Sequence, residues 1–499
     1  MTGVATVARR VSEGLPEHLG AVPEPGPDPE VRLRVTTLGF ERAAHVLRRA
    51  GARLITMLLA EAPEPSLMAA FALRGALVVL RAPTDGADPV TYGALSQTWP
   101  AARWAEQELV ERFGVRPVGF SPGRSLTAAD ADLIERSVHG LDVFAIPYGP
   151  VRSGVFEAIQ FQVQTGGESV LSLQTRLGFK HRGLERRFAG LPPERAVHVA
   201  ERVAGIASVA YASAFSQAVE RALGIEPTLD AQRWRVLYAE LERMAAHLDV
   251  IAKEAETAAL HVGQARFQIL KERVTRLRAR LTGSRFARGV IVPGGVRLQG
   301  GIGLDELLRS LDALEGDLAA DRRLFVGTAS MTDRLVGAGR LSRALVEEYC
   351  AVGPVARGSG VATDARHERP YGDYRRLGLQ VVTERAGDAM ARIEVRFGEL
   401  FESLRILRQC VDHLRGHEGE LATPLPRDGT GAAFGWAEAP QGELVIWVQV
   451  RDGLVDRVHV ASPSLRNWAL FDHAFPADVL TDFAFIEHSF GLTPSGADR

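Results

Sequence analysis

Five stretches of the sequence repeat apolar residues at the spacing of long amphipathic helices, and they constrain the fold more than any other feature. They span residues 193–223, 230–260, 262–281, 303–325 and 388–415. A helix with one apolar face buries that face against another element. The five patterns therefore predict a helix bundle at the centre of the larger part of the chain.

Two predicted β-hairpins accompany this bundle. Residues 153–177 alternate apolar and polar side chains over two runs that are split by the sequence Thr-Gly-Gly-Glu. Residues 443–452 and 454–461 form a second pair of runs around Asp452-Gly453, a turn sequence that favours hairpins. Both hairpins are predicted to lie at the periphery of a mainly helical domain that spans residues 147–499.

The amino-terminal quarter predicts a separate, smaller domain. Residues 1–30 end in a proline-studded run that fits neither a helix nor an interior strand, so they predict a disordered lead-in. Residues 31–125 predict a small α/β domain, and residues 126–146 a linker. The helices and strands of this domain are predicted over residues 40–51, 53–61, 71–80 and 98–114. The predicted fold class is therefore α+β.

Charge and cysteine content limit the function. The chain carries 59 basic and 61 acidic residues, which are interspersed and give a formal charge of -2, so no nucleic-acid partner is expected. No apolar run reaches the roughly 20 residues that span a bilayer, so any membrane role is expected to be peripheral. The two cysteines, Cys350 and Cys410, predict a reducing, cytoplasmic location and no cysteine-bound metal centre within this chain.

One predicted helix carries a polar stripe. Glu240, Arg243 and His247 lie at positions i, i+3 and i+7, so they share one helix face. Two interpretations remain open for this stripe. In the first, the stripe relays protons or contacts a buried cofactor. In the second, it is a solvated face or a salt-bridged face between helices.

A histidine pair lies near the end of the last long helical pattern. His413 and His417 have the i, i+4 spacing of a zinc-binding pair. The glycine between them weakens the helix, and no fourth ligand accompanies them. We therefore predict no metal site there.

A glycine-rich stretch over residues 353–360 is strongly charged for its apolar surroundings, and Asp364 and Arg366 follow it. Glycine lets the backbone approach a neighbour closely, and arginine and aspartate supply charges for pairing or binding. Arg357 and Asp364 are therefore candidate catalytic residues. A purely structural loop is the alternative.

The second domain carries a series of short motifs, one after another along the chain. They include Lys180-His-Arg-Gly-Leu-Glu185, Glu240-Leu-Glu-Arg243, Ala356-Arg-Gly-Ser-Gly360 and Ser403-Leu-Arg-Ile-Leu-Arg-Gln-Cys410. In order and spacing they resemble the large subunit of membrane-bound energy-converting NiFe hydrogenases of the formate hydrogenlyase type. They equally resemble the quinone-site D subunit of bacterial complex I, the NADH-quinone oxidoreductase.

The first domain adds to this resemblance. The sequence from Trp99 to Glu108, followed by Phe113-Gly114, resembles the complex I C subunit. A fusion of C-like and D-like parts is the arrangement of formate hydrogenlyase-type large subunits. The resemblance implies a C-subunit-like α/β domain followed by a hydrogenase-large-subunit-like domain.

The chain departs from the family where the hydrogenases carry four cysteine ligands to nickel and iron. The corresponding residues here are Ala204, Ala207, Thr493 and Gly496. Thiolates hold this soft metal pair, and none of these residues supplies one. The resemblance therefore implies a hydrogenase-related branch without the NiFe centre, and we expect no hydrogen activation.

The quinone-binding residues of the D subunits are also replaced. The family's histidine in the first hairpin loop and its aspartate on a later helix fall near Phe156 and Thr257, and its tyrosine falls near Gly205. Glu157 and Glu256 stand one residue from two of these positions. They are candidate replacement carboxylates for proton chemistry.

The resemblance also implies partners and cofactors. Arg182 and Arg285 are expected to face an iron–sulfur cluster that a small partner subunit of the complex I B-subunit type carries. Their positive charges would raise the potential of that cluster. This chain itself is expected to hold no cofactor. The resemblance leaves open whether it binds quinone.

These observations predict the peripheral large subunit of a membrane-anchored oxidoreductase complex. It would lie at the cytoplasmic face, held by anchor and antiporter-like membrane subunits, and would couple electron transfer from the partner's cluster to ion translocation. The alternatives are a quinone-reducing NADH dehydrogenase-like subunit with an altered pocket, and a non-catalytic scaffold or coupling subunit. A buried cavity lined by the candidate catalytic residues would favour chemistry over a scaffold; they are Glu157, Glu240, His247, Glu256, Arg357 and Asp364.

Overall fold

The computed structural model describes residues 22–24, 26–27, 30–61, 64–84, 86–122, 142–152, 157–416, 419–476 and 478–499. They form a mixed α+β fold with several small sheets, which confirms the predicted fold class. The described residues divide into two compact units. The first holds those before residue 132 together with Glu347–Cys350, and the second holds the others. No helix among the described residues is both long enough and apolar enough to cross a bilayer.

The first unit is a five-stranded sheet with helices. Its elements are β1 (Val22–Glu24), β2 (Glu30–Arg34), α1 (Thr37–Arg49), β3 (Arg53–Ala60), β4 (Ser66–Leu73), β5 (Ala76–Pro83), β6 (Thr91–Gly93), α2 (Arg103–Phe113) and β7 (Arg116–Val118). The sheet order is β1-β2-β5-β4-β3, in which only β2 and β5 run parallel, and β6 and β7 form a separate parallel pair. Helix α1 buries Phe40, Ala43, Ala44 and Leu47, which share one face.

Two details of this unit differ from the sequence predictions. Residues 22–24, within the predicted lead-in, form β1 and pair with β2. The single strand predicted over residues 71–80 is wrong. Arg74 and Gly75 both adopt positive φ, at 48° and 81°, and form the two-residue turn of a hairpin between β4 and β5. Both strands are almost fully buried, so the apolar run continues through the turn and hides it.

The second unit contains the predicted helices. Its strands are β8 (Phe144–Tyr148), β9 (Gln160–Thr165), β10 (Val170–Arg176), β11 (Ile291–Val292), β12 (Gly295–Val296), β13 (Gly431–Ala439), β14 (Gly442–Arg451) and β15 (Leu454–Ala461). Its longer helices are α4 (Pro193–Ala200), α5 (Ser208–Ala222), α6 (Leu229–Thr257), α7 (His261–Thr282), α8 (Leu304–Val326), α13 (Ala389–Leu414), α14 (Pro463–Phe471) and α15 (Phe483–Phe490). The shorter ones are α3 (Leu184–Arg187), α9 (Ala329–Leu335), α10 (Arg343–Glu348), α11 (Gly353–Arg357), α12 (Ala365–Glu368) and α16 (Pro494–Asp498).

Helices α6, α7, α8 and α13 pack together and confirm the predicted bundle. Helix α5 packs on the sheet β13-β14-β15, whose hairpin β14–β15 was also predicted. Strand β13 was missed because both of its faces are buried, so polar residues do not alternate along it. At Gly435 a Cβ atom would lie 2.0 Å from the carbonyl oxygen of Ala214, and only glycine allows β13 to approach α5 so closely.

The helix predicted over residues 193–223 is interrupted, which corrects the sequence prediction. Helix α4 ends at Ala200, a 3-10 turn covers Gly205–Ala207, and α5 begins at Ser208. The buried carboxylate of Glu242 accepts hydrogen bonds from the amides of Val209 and Ala210, at 2.7 and 3.0 Å, and so caps the new helix start. Glu242 lies on another helix, so the interruption depends on a tertiary contact.

Candidate functional site

The four residues that the resemblance matches to the NiFe ligands, Ala204, Ala207, Thr493 and Gly496, lie on two chain segments that meet in the second unit. Ala204 precedes the 3-10 turn before α5 and Ala207 is the last residue of that turn, whereas Thr493 and Gly496 lie near the carboxyl terminus. The guanidinium group of Arg182 connects the segments. It donates hydrogen bonds to the carbonyl oxygens of residues 202, 203 and 495, at 3.0, 2.7 and 3.0 Å.

A cavity of about 300 Å³ lies against these segments. Residues 205–206 and 491–494 line one part of it, and helix α6 lines another part between Ala246 and Lys253. Its ionisable lining residues are Arg152, Glu157, Asp249, Lys253, Arg396, Glu487 and His488. A cavity of this size with a few polar groups can hold a small molecule or the head group of a larger one.

The carboxylate of Glu157 is bound to Thr493 and Ser495 in the carboxyl-terminal segment. Its Oε2 atom accepts hydrogen bonds from the hydroxyl of Thr493, at 2.6 Å, and from the amide of Ser495, at 3.0 Å. Its Oε1 atom accepts a further hydrogen bond from the hydroxyl of Ser495. A carboxylate and two hydroxyl groups therefore meet at the start of the carboxyl-terminal segment.

Two ion pairs orient other side chains at the cavity. Arg152 donates to Glu487 at 2.7 Å, and Lys253 lies 3.0 Å from Asp249. Nδ1 of His488 lies within hydrogen-bond distance of the hydroxyl oxygen of Thr257, at 3.0 Å, and burial lowers the pKa of His488 to about 4. The imidazole is therefore neutral at pH 7.

Behind the cavity lies a set of buried ionisable side chains, called the charge cluster below. It contains four carboxylates and four guanidinium groups with one histidine between them: Glu240, Asp364, Glu399, Glu438, Arg243, Arg357, Arg366, Arg396 and His247. Each of these residues is at most 2% exposed. Equal numbers of opposite charges allow the cluster to be buried without net charge.

Glu399 occupies the centre of the charge cluster. It accepts hydrogen bonds from Arg357 at 2.8 Å and from His247 at 2.9 Å. Burial opposes ionisation of Glu399, but Arg357 and His247 hold its pKa well below its usual range. Arg357 also donates to Glu438 at 2.9 Å, and it lies 3.4 Å from Asp364. One arginine thus holds three carboxylates.

His247 lies between Glu399 at the centre of the charge cluster and Arg396, the member of the cluster that lines the cavity. Arg396, which lines the cavity, donates to Nδ1 of His247 at 3.1 Å, so the proton of the neutral ring is on Nε2 and is donated to Glu399. Burial lowers the pKa of His247 to about 4, although the bond to Glu399 opposes this shift. The histidine is therefore a neutral bridge at pH 7.

Glu240 lies at the far side of the charge cluster. Its carboxylate accepts hydrogen bonds from Arg366 at 3.0 Å, from Tyr374 at 2.5 Å and from Ser403 at 2.6 Å. Burial opposes ionisation, but the charges of Arg366 and Arg243 lower the pKa of Glu240. Glu240 and Arg243 on α6 therefore form ion pairs with residues of neighbouring helices.

Comparison with known proteins identifies the family. The family model of the 49 kDa subunit of respiratory-chain NADH dehydrogenase matches residues 265–428. The membrane-bound hydrogenase subunit alpha of Pyrococcus furiosus is 31% identical over 381 residues, which are 71% of this chain and 87% of that protein. The chain belongs to the family of complex I 49 kDa subunits and NiFe hydrogenase large subunits.

Other members of this family extend the likeness. Formate hydrogenlyase subunit 5 of Escherichia coli is 26% identical over 469 residues, which cover 85% of this chain and 79% of that protein. A chain of the membrane-bound sulfane sulfur reductase, an archaeal respiratory membrane complex, shares the fold with a TM-score of 0.68 at 25% identity. That match covers 72% of this chain and 99% of the other.

The structure separates the six candidate catalytic residues into three groups. Only Glu157 lines the cavity. Glu240, His247, Arg357 and Asp364 belong to the charge cluster. Glu256 lies on an exposed face of α6.

Both arginines expected to face a partner's iron–sulfur cluster are exposed. Arg182 binds the carbonyl oxygens of residues 203 and 495 and so joins their two segments, whereas Arg285 forms an ion pair with Glu272 at 2.5 Å. His413 bonds Asp373 at 3.1 Å, and His417 and Phe156 lie outside the described residues.

Several functional candidates were missed by the sequence reasoning. Arg392, Arg396 and Glu399 fall four and three residues apart on α13, which is the spacing of one helix face. The same signal extends the stripe of α6 by two turns from His247 to Glu254. The helical spacing of these charged residues, on helix faces expected to be buried, could have pointed to them. Their partners on other helices could not be predicted from the sequence.

Proposed function

We propose that this chain is the large peripheral subunit of a membrane-anchored, complex I-like oxidoreductase complex and that it works without a NiFe centre. Electrons would arrive from an iron–sulfur cluster in a small partner subunit, and the complex would be held at the cytoplasmic face by membrane subunits that move ions. The names of two relatives, a membrane-bound hydrogenase and a respiratory membrane complex, support this assignment.

The residues at the metal position do not fit nickel and iron. Two alanines, a threonine and a glycine replace the four thiolates, and the hydroxyl of Thr493 is already bound to Glu157. The two cysteines of the chain, Cys350 and Cys410, stand at none of these four positions. No step of the reaction is therefore assigned to a NiFe group.

The observation that carries the proposal is the position of Glu157. Its carboxylate lines the cavity at the replaced metal position and is oriented by Thr493 and Ser495. A carboxylate held in this way can take up a proton and then pass that proton to a substrate in the cavity. Arg396 and Lys253 line the same cavity and would orient a substrate that carries negative charge.

Quinone reduction is a second candidate function, and one contact favours it. Thr257 stands near the counterpart of the family's quinone-site aspartate, and its hydroxyl bonds the imidazole of His488 at the cavity. The resulting pair supplies a hydrogen-bonding group close to where a quinone carbonyl would lie. Competition by a soluble short-chain quinone against turnover of the complex tests this candidate.

Replacing Glu157 with glutamine is expected to reduce turnover of the purified complex about 100-fold, because one positioned acid–base group contributes about this much. The fold should be preserved, since glutamine keeps the shape and can still accept a hydrogen bond from Thr493. The matched control is Glu256→Gln, which changes an exposed carboxylate and should leave turnover unchanged.

The same purified complex should contain iron but no nickel when its metals are analysed. Unchanged turnover in the Glu157→Gln complex would favour the scaffold or coupling alternative. Nickel in stoichiometric amount would overturn the proposal.

A further inference from the structure

The short helix α16 near the carboxyl terminus binds the carboxylate of Glu157, and its own backbone needs partners from elsewhere in the chain. All residues of this helix, Pro494–Asp498, are buried. A helix of this length leaves most of its carbonyl groups without partners inside the helix. Because buried carbonyl groups are nearly always hydrogen-bonded, donors must come from other segments.

The loop before α3 supplies such donors. Nδ1 of His181 lies 2.8 Å from the carbonyl oxygen of Asp498, and the guanidinium group of Arg182 donates to the carbonyl oxygen of Ser495 at 3.0 Å. The backbone amide of Arg182 donates to the carbonyl oxygen of Arg499 at 3.2 Å. This loop therefore satisfies several carbonyl groups at the carboxyl-terminal end of the chain.

The guanidinium group of Arg182 also joins α16 to the chain after α4. It donates to the carbonyl oxygens of residues 202 and 203, at 3.0 and 2.7 Å, as well as to that of Ser495. A planar guanidinium group carries its donors on separate nitrogen atoms in a rigid arrangement, whereas the ammonium group of lysine is a single flexible point charge. The shape of Arg182, and not its charge alone, therefore fixes the position of the Ser495 backbone.

Ser495 connects Arg182 to the cavity. Its carbonyl oxygen accepts the hydrogen bond from Arg182, and its amide donates to Oε2 of Glu157 at 3.0 Å. Its hydroxyl group donates to Oε1 of the same carboxylate. Arg182 is exposed, whereas Glu157 lines the cavity. Two consecutive contacts therefore connect the protein surface to the carboxylate in the cavity.

A second anchor holds the far end of α16. The carboxylate of Asp498 accepts hydrogen bonds from the amides of Gly178 and Lys180, at 2.9 and 2.7 Å. This anchor does not depend on the side chain of Arg182. Loss of the Arg182 contacts is therefore expected to loosen the start of α16 while its end stays attached and the fold is kept.

We propose that Arg182 is a positioning residue for Glu157. It fixes the backbone of Ser495, and Ser495 in turn orients the carboxylate in the cavity. Arg182 acts through Ser495 and does not line the cavity itself. Its effect on turnover rests on the proposed function, whereas its hold on Ser495 does not.

Hydrogen exchange of the full-length chain tests the hold of Arg182 on Ser495. Arg182→Lys keeps the charge and is expected to speed exchange of the Ser495 amide about 10-fold, because one lost hydrogen bond changes a local opening equilibrium by about that factor. The control is Arg186→Lys at an exposed arginine of α3, which should exchange like the wild type. Wild-type exchange in Arg182→Lys would show that charge or packing alone holds the segment and would overturn the proposal.

Turnover of the purified complex tests whether this hold acts through Glu157. Arg182→Lys is expected to lower turnover about 10-fold, since a small displacement of a reacting group is costly. The double variant Arg182→Lys, Glu157→Gln should turn over as fast as Glu157→Gln alone, because the group that Arg182 positions is already lost. A separate structural or electron-transfer role predicts that the two effects multiply. That result would overturn the proposal, and Arg186→Lys should keep wild-type turnover.

Failure of this proposal can be told apart from failure of the proposed function. If Glu157→Gln lowers turnover and Arg182→Lys does not, the proposed function stands and the positioning role is overturned. If Glu157→Gln itself leaves turnover unchanged, the proposed function fails. Exchange of the Ser495 amide then still decides whether Arg182 holds the segment that binds Glu157.

Discussion

Replacing Arg357 with leucine is expected to lower the free energy of unfolding by about 3–5 kcal/mol, the usual cost of removing one partner from a buried ion pair. Arg357 is fully buried and binds Glu399 and Glu438 directly. Leucine would leave these carboxylates close together in an apolar interior with fewer compensating charges. Their pKa values would rise until one of them takes up a proton.

Denaturant unfolding of the full-length chain measures this effect. The control is Arg285→Leu, which breaks an ion pair with Glu272 at the surface. Water and salt screen such a pair, so the control should unfold close to the wild type. Equal effects of the two substitutions would show that the charge cluster contributes no more than surface pairs. The contrast also tests whether Arg357, a candidate catalytic residue, has a structural role.

Acidification from pH 6.5 to pH 4 is expected to destabilise the protein by about 3 kcal/mol for each of two buried histidines. Burial lowers the pKa of His247 and of His488 to about 4, whereas the unfolded chain has the ordinary value of about 6.5. Below pH 6.5 the unfolded state therefore binds more protons than the folded state. Stability must fall as the pH falls and level off below the folded pKa.

Unfolding of the His488→Gln variant at several pH values isolates one of these contributions. This variant should lose about 3 kcal/mol less than the wild type between pH 6.5 and pH 4, because it has one fewer group to protonate. The control is His261→Gln at the exposed start of α7, which should follow the wild-type pH dependence. Parallel curves for the wild type and His488→Gln would show that His488 is accessible to protons in the folded state.

The cavity and the charge cluster of the second unit give their carboxyl groups different surroundings. Glu157 presents a carboxylate to the cavity, whereas Glu399 is held ionised by Arg357 and His247. The charge cluster reaches the cavity through Arg396. Carboxyl groups with such different surroundings respond differently to the same change of charge, which suits a protein that handles protons and electrons together.

Much of the fold was readable from local sequence. Helices α6, α7, α8 and α13 were predicted close to their observed bounds, because each presents an apolar face at helical spacing over many turns. The turn at Asp452-Gly453 also fixed the hairpin β14–β15. Strands buried on both faces were harder to predict from the sequence. Strand β13 was missed, and β4 and β5 were predicted as one strand because a uniformly apolar run hides the turn between them.

The candidate site was only partly readable. The sequence alone determined that no thiolates stand at residues 204, 207, 493 and 496, because the type of each residue is known without the fold. It also placed Glu240 and His247 on one helix face. Only the tertiary structure decided that Glu157 reaches Thr493, 336 residues away, and that Glu256 faces solvent while Glu254 is buried. Spacing fixes which residues share a face, but the pKa of a carboxyl group depends on what the rest of the chain packs against that face.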